Sequence, residues 1–216
     1  MVDAGTPRDW KQLLLALDSI GCSAGDIEAV LLTHAHSDHT GFAEKARTDA
    51  DAVVWVHEKD AEVARGGRRQ STEGGTLKHL KSREAHHTLF GLLLMGGVRV
   101  IPIKQLCTFD DGETLDLPGS PKVVHTPGHT LGSSSVLFER PGWLMTGDAL
   151  VTLNPMTGRR GPQIMPSALN HDSTQALASL RTIDGIGARA IFPGHGAPLR
   201  ASLSDAVEDA WSAGRS

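Results

Sequence analysis

The chain contains no tyrosine, so no phenol hydroxyl can take part in its chemistry, and aromatic residues make up only 4% of it. Its two cysteines, Cys22 and Cys107, lie far apart, each without a partner at metal-ligand spacing. That excludes a thiolate zinc site and makes a disulfide the lesser reading. Both cysteines are read as small buried hydrophobes in a reducing compartment. No run of about 18 apolar residues occurs, the longest patch being Leu89 to Met95, so no transmembrane helix is expected. No signal peptide is visible, and a cytoplasmic location is the expectation. Lys plus Arg number 21 against 25 for Asp plus Glu, a formal charge of -4. So balanced a chain has no electrostatic footprint for nucleic acid or an anionic membrane, which leaves a small-molecule substrate as the expected partner. The oligomeric state is not legible.

What is present is enough to build a core: 39% hydrophobic residues in a chain of 216, a length that favours one large domain. Met1 to Pro7 reads as the end of a strand running into a Gly/Pro turn. From Asp9, the residues Trp10, Leu13, Leu14, Leu17 and Ile20 recur at helical steps, and Gly21 ends the helix. Strands are expected at 29–32, 52–56, 98–103, 113–117, 122–125, 134–139, 143–146 and 188–192. Helices are expected at 41–50, 76–95, from Asp172 or Ser173 to Ile183, and at 203–211 with Val207 and Trp211 facing in. Segments 66–75 and 154–167 read as loops. Residues 66–97 read as a helical and loop insertion, its helix either a lid or pocket wall or a packing helix with an exposed basic face.

The stretch that organises the chain is Thr33-His34-Ala35-His36-Ser37-Asp38-His39-Thr40-Gly41, which follows the apolar run Ala29 to Leu32. His34 and His36 sit two apart and project to the same side of extended backbone. Asp38 and His39 follow where the chain turns toward a helix, within reach of a second ion. Nitrogen and oxygen donors without thiolate suit zinc, and less decisively manganese or iron. His129, Asp148 and His195 also stand just past the ends of apolar strands, each in a Gly-containing turn. Four such turns at one sheet edge can converge on a single place.

His34-x-His36-x-Asp38-His39, Pro127-Gly128-His129-Thr130, Gly147-Asp148 and Pro193-Gly194-His195-Gly196, in that order, resemble the metallo-β-lactamase superfamily. The resemblance begins at the Asp-x-Gly turn of Asp3 and covers nearly the whole chain. It implies an α/β fold, a four-layer αβ/βα sandwich of two mixed sheets with the metals at one end. It also implies that His34, His36 and His129 hold one divalent ion, that Asp38, His39 and His195 hold a second, and that Asp148 bridges both. Zn2+ is the first expectation, with Mn2+ or Fe2+ as alternatives. Members generally carry further strands before the Asp-x-Gly turn, whereas this chain begins there, so an unpaired sheet edge is expected.

The chemistry implied is that of a two-metal hydrolase. A metal-bridging hydroxide attacks a small carbonyl substrate (ester, thioester or lactone), and Asp38 is the catalytic residue that holds the water and passes its proton on. Lactonases with this motif set usually place a tyrosine near the substrate oxygen, so here a metal ion or another donor must serve. Enzymes that open β-lactams typically place cysteine or serine where Asp148 stands, which makes that activity the lesser expectation. Two further activities fit the superfamily, a sulfur dioxygenase with a single iron on the first three ligands and a phosphodiesterase. Asp3 is expected to brace the metal-bearing loops from behind. His125 is expected to pack beside the His129 turn, His57 and His171 to be cap or loop residues, and His79, His86 and His87 to lie on the surface. Arg65, Arg68 and Arg69 read as a solvated loop.

Overall fold

The computed structural model describes residues 1–74, 82–98, 100–200 and 202–215. The chain falls into two compact units, Met1–Arg69 with Leu89–Phe109, and Gln70–Thr88 with Asp110–Ser216. Each has its own apolar core and its own sheet.

In the first unit, α1 (Asp9–Ser19) leads to β1 (Ala29–Leu31), α2 (Ala43–Asp49), β2 (Val53–His57) and the short α3 (Ala61–Ala64). Helix α4 (Arg83–Leu94) ends in this unit, and β3 (Cys107–Phe109) closes it. The three strands pair in the order β1-β2-β3, all parallel, and Val2 adds a parallel bridge beside Leu31. A parallel strand covered on both faces reads as an unbroken apolar run, as β1 does, whereas β2 buries Val54 and Val56 and leaves Val53 exposed and Trp55 half-buried. Val30, Leu32, Val54 and Val56 pack with Trp10, Phe42, Ala46 and Ile103 in one cluster. Each such large side chain is worth roughly 1.5–3 kcal/mol of burial. Helix α1 buries Trp10 and half-buries Leu13 and Leu17, while Leu14, Leu15 and Ile20 stay exposed.

The second unit holds β4 (Lys122–His125), β5 (Ser134–Phe138), β6 (Trp143–Gly147), β7 (Val151–Leu153), β8 (Arg160–Gln163), α5 (Ser173–Ile183), β9 (Ala190–Pro193) and α6 (Leu203–Ala213). Its main sheet has the order β4-β5-β6-β9, antiparallel except for the parallel β6/β9 pair, and so carries the expected mixture of directions. Leu144, Leu150 and Ile191 from the strand side meet Ala176, Leu180 and Ile183 of α5 and Leu203, Val207 and Ala210 of α6. Asp172 caps α5 by accepting from the Thr174 and Gln175 N–H groups at 2.8 and 2.9 Å.

Several expectations are corrected. No strand forms among the described residues of 98–103: Val98 and Ile101 are exposed, Pro102 has no N–H, and the Ile103 N–H goes to Ala64. The third strand is instead Cys107–Phe109, recruited by its parallel register with Trp55 to His57. Segment 113–117 makes only a bridge from Thr114 to Lys122, because a tight turn at Leu117 to Ser120 consumes the chain. Segment 154–167 is not all loop, since Arg160–Gln163 pairs with Val151–Leu153. Helix α4 begins at Arg83, and the earlier part of the expected helix, with His79, lies outside the described residues. Its Leu89, Phe90, Leu93 and Leu94 are exposed. Cys22 is half-buried and Cys107 exposed, so neither is the buried hydrophobe expected. Trp211 faces outward beneath the Arg181 guanidinium, 4.7 Å from the ring centre. No helix of the described residues is long and apolar enough to cross a membrane.

Candidate metal-ligating residues

In the first unit the chain leaves β1 and turns at once, with His39 and Thr40 both donating backbone N–H bonds to the His36 carbonyl at 3.0 Å. The turn gathers its side chains into one place. The His34 ring lies 4.8 Å from that of His36 and 4.1 Å from that of His39, centre to centre. Ligand atoms of His34 lie within 4.8 Å of those of His36 and of His39, and so do those of Asp38 and His39. His34 and His39 are buried, while His36 and Asp38 are half-buried.

Asp3 fixes this turn from behind, as expected from the sequence. It accepts from the Thr33 N–H at 2.7 Å, the Thr33 hydroxyl at 2.8 Å and His39 Nδ1 at 2.8 Å. The hydroxyl proton of Thr33 is therefore committed to Asp3, and Thr33 Oγ1, 3.1 Å from His34 Nδ1, serves that ring as an acceptor. In both rings Nδ1 therefore faces an acceptor, which fixes the ring and directs Nε2 to the other side as the ligand atom. Two further contacts hold the turn: Ala35 donates its N–H to the buried Asp60 at 3.0 Å, and the Ser37 hydroxyl donates to the Gly97 carbonyl at 2.6 Å.

The second unit presents His129 from the turn after β4, Asp148 from the end of β6 and His195 from the end of β9. Asp148 Oδ2 lies 3.2 Å from His129 Nε2 and 3.3 Å from His195 Nε2. His129 and Asp148 are buried, and His195 is a quarter exposed at its side chain. His129 Nδ1 meets Asn170 Oδ1 at 3.0 Å. The amide hydrogens of Asn170 go to the Met165 carbonyl at 2.6 Å and to Ser173 Oγ at 3.3 Å, so its oxygen accepts and the ring donates. A neutral His129 then turns the Nε2 lone pair toward a carboxylate oxygen. Two acceptors that close attract one another only through a proton or a cation, and the donor set of this unit therefore fits a divalent ion.

His34, His36, Asp38 and His39 are thus brought together in one unit, and His129, Asp148 and His195 in the other. Of the remaining histidines, His125 packs beside the His129 turn with Nε2 2.9 Å from the Leu131 carbonyl, and His57 caps the turn after β2 by accepting from the Lys59 N–H. His171 contacts the Ser71 carbonyl, and His86 and His87 are exposed. Asp60 and Asn170 were not legible from the sequence. The cap pattern Asn170-x-Asp172-Ser173 is the one local signal that could have drawn attention to Asn170.

Three comparisons bear on this arrangement. YobT of Bacillus subtilis (strain 168), an uncharacterized protein, is 32% identical over 69% of this chain, and the matched part spans 56% of YobT. YflN of the same strain, named a probable metallo-hydrolase, is 23% identical over 92% of this chain and 75% of its own length. Among solved structures, the metallo-beta-lactamase family protein TTHA1429 from Thermus thermophilus superposes with a TM-score of 0.65 at 27% identity, covering 96% of this chain and 68% of that one. The model of the metallo-beta-lactamase superfamily matches residues 1–195, which include all seven ligand-type residues, and the chain belongs to that family.

Proposed function

We propose that the protein is a metal-dependent hydrolase of a small carbonyl substrate: an ester, a thioester or a lactone. In this reading His34, His36 and His129 hold one divalent cation, Asp38, His39 and His195 hold the other, and Asp148 serves both. The observation that carries it is the pair of ring nitrogens, His129 and His195 Nε2, at 3.2 and 3.3 Å from a single Asp148 oxygen, with the other nitrogen of His129 already committed to Asn170. All donors are nitrogen or oxygen, which favours zinc and also suits manganese or iron.

When bound, such a pair of cations lowers the pKa of water toward neutrality and polarises a substrate oxygen. The chain's own residues supply the rest. Asp38 is the partly exposed carboxylate of the set, 23% exposed at its side chain, with Oδ2 3.9 Å from His39 Nε2. A carboxylate in that position orients the attacking water, takes its proton and returns it to the leaving group. The buried rings of His34, His39 and His129 are each held at Nδ1, by Thr33, Asp3 and Asn170, the support a preorganised site needs.

Metal analysis of the purified protein and a hydrolysis screen over lactone, thioester and phosphodiester substrates, with zinc and manganese added, test the reading. Two zinc ions per chain with turnover of a carbonyl ester are expected. One iron per chain with oxygen consumption points to the sulfur dioxygenase instead, and turnover confined to phosphodiesters moves the substrate class.

A further inference from the structure

Asn170 lies outside all four motifs, yet it is fully buried and touches a ring that the motifs single out. We propose that Asn170 is the positioning residue that holds His129 with Nε2 directed at the cation, and that Ser173 and Glu73 in turn hold Asn170. The inference rests on the metal reading above and assigns a role to residues that reading does not include.

The direction of every bond in the chain of contacts is fixed by chemistry. Both amide hydrogens of Asn170 are engaged, one by the Met165 carbonyl at 2.6 Å and one by Ser173 Oγ at 3.3 Å. A carbonyl cannot donate, so the amide cannot flip without setting its oxygen against the Met165 oxygen. Oδ1 is therefore locked toward His129 as an acceptor. A neutral imidazole in water favours the proton on Nε2, the tautomer that cannot bind a cation there. An acceptor fixed opposite Nδ1 reverses that preference.

Ser173 is held as firmly. Its N–H donates to Glu73 Oε2 at 2.8 Å, and Glu73 donates its own N–H to the Asn170 carbonyl at 2.8 Å. The loop bearing Glu73 is tied down on either side, by the Leu131 N–H donating to Gln70 Oε1 at 2.7 Å and by Gly74 N–H donating to the Ser167 carbonyl at 3.0 Å. The backbone of the His129 turn is joined to the same segment, since His171 N–H donates to the His129 carbonyl at 3.0 Å and Asp172 N–H to the Gly128 carbonyl at 2.8 Å. His129 is thus gripped at its ring and at its backbone by one short stretch, Asn170 to Asp172, with Ser173 and Glu73 behind it.

Asn170→Asp keeps an acceptor opposite His129, but it sets its second oxygen against the Met165 carbonyl where the amide hydrogen stood, so it should be less stable than wild type while the ring keeps its partner. Asn170→Leu keeps the volume and removes the acceptor. Both lose the bond to Met165, and the aspartate adds a repulsion there, so a merely structural role predicts a loss in the aspartate at least as large as in the leucine. A positioning role predicts a split. Zinc affinity, measured by competition with a chromophoric chelator, should fall about 10–100-fold in Asn170→Leu and stay within about 3-fold of wild type in Asn170→Asp. A second readout needs no metal: the His129 Nδ1–H proton should appear in the NMR spectrum of metal-free wild type and of Asn170→Asp, protected from exchange with water. It should vanish in Asn170→Leu, and in Asn170→Ala if the leucine variant does not fold. Equal zinc loss in the aspartate and leucine variants, or a ring proton that persists without Asn170, overturns the inference while leaving the metal reading in place. A wild-type chain that takes up no zinc overturns both.

Discussion

Asp3 accepts three hydrogen bonds, from the N–H and hydroxyl of Thr33 and from the His39 ring, and does so at φ 55°, in the left-handed region. Asparagine is at ease at that backbone angle, so Asp3→Asn removes acceptors without adding strain. Its amide nitrogen cannot accept from both the Thr33 hydroxyl and His39. The variant should fold, with a loss on the order of 2–3 kcal/mol in denaturant unfolding, and should bind zinc more weakly. Wild-type zinc content in Asp3→Asn would remove Asp3 from the support of the site. Asp38→Ala and His129→Ala should each abolish whatever hydrolysis the screen finds, while His86→Ala on the exposed face of α4 should match wild type. Full turnover by either of the first two variants rejects the assignment. The ligand-type residues were legible because their chemistry lies in single side chains beside apolar runs. Asp60 and Asn170 were not, because a buried acceptor has no spacing rule that ties it to the group it serves, and only folding brings Asp60 to the Ala35 N–H.

The element that shapes the His129 turn is α5, and Gly128 lets it approach. Gly128 has φ 132°, and a Cβ there would fall on the backbone nitrogen of Ala176 in the first turn of that helix. Gly128→Ala should therefore push the turn and the helix apart, lowering zinc affinity as well as thermal stability, and a variant with wild-type values of both would show that the approach has slack. Helix α2 offers a pH test. The Arg47 guanidinium bonded to Glu44, helped by the Lys104 N–H and opposed by partial burial, holds the Glu44 carboxyl below the usual carboxylate range. A folded-state pKa below the unfolded one gives stability that is fully present above the ordinary carboxylate pKa and lost as pH falls through the folded value. Glu44→Gln should melt below wild type at pH 7, with the gap closing as the solution is acidified through the carboxylate range. A gap independent of pH would assign the effect to packing. Helices α1, α2, α5 and α6 were legible from their apolar spacing, as was the cap at Asp172. Strands β3 and β7 were not, because each has a threonine at the centre of its three residues, unlike the equally short but wholly apolar β1, and takes its conformation from the ladder beside it.

At the scale of the whole molecule, the family was legible from the order of four motifs, while the division into two units was not, because no composition shift or linker marks it and the first unit resumes at Leu89 after the chain has entered the second. Each unit has a core built of apolar side chains, so the protein should fold in the presence of chelator. His34, His39, His129 and Asp148 are buried, however, and buried carboxylate and imidazole groups gain more from a cation than the unfolded chain can offer. A ligand that binds only the folded state at about 100 times its Kd adds roughly 2.7 kcal/mol. For a chain of this length that corresponds to a melting shift of roughly 5–10 °C. Calorimetry of the wild type with excess zinc against the same protein in EDTA should show that rise, reversed when the metal is removed and restored when it is returned. Asp148→Ala deletes the oxygen shared by His129 and His195 and should abolish most of the shift while still giving a cooperative transition in EDTA. Identical melting temperatures for the wild type with and without chelator would mean that no cation is bound by these residues at the concentrations used, and the hydrolase reading would fall with it.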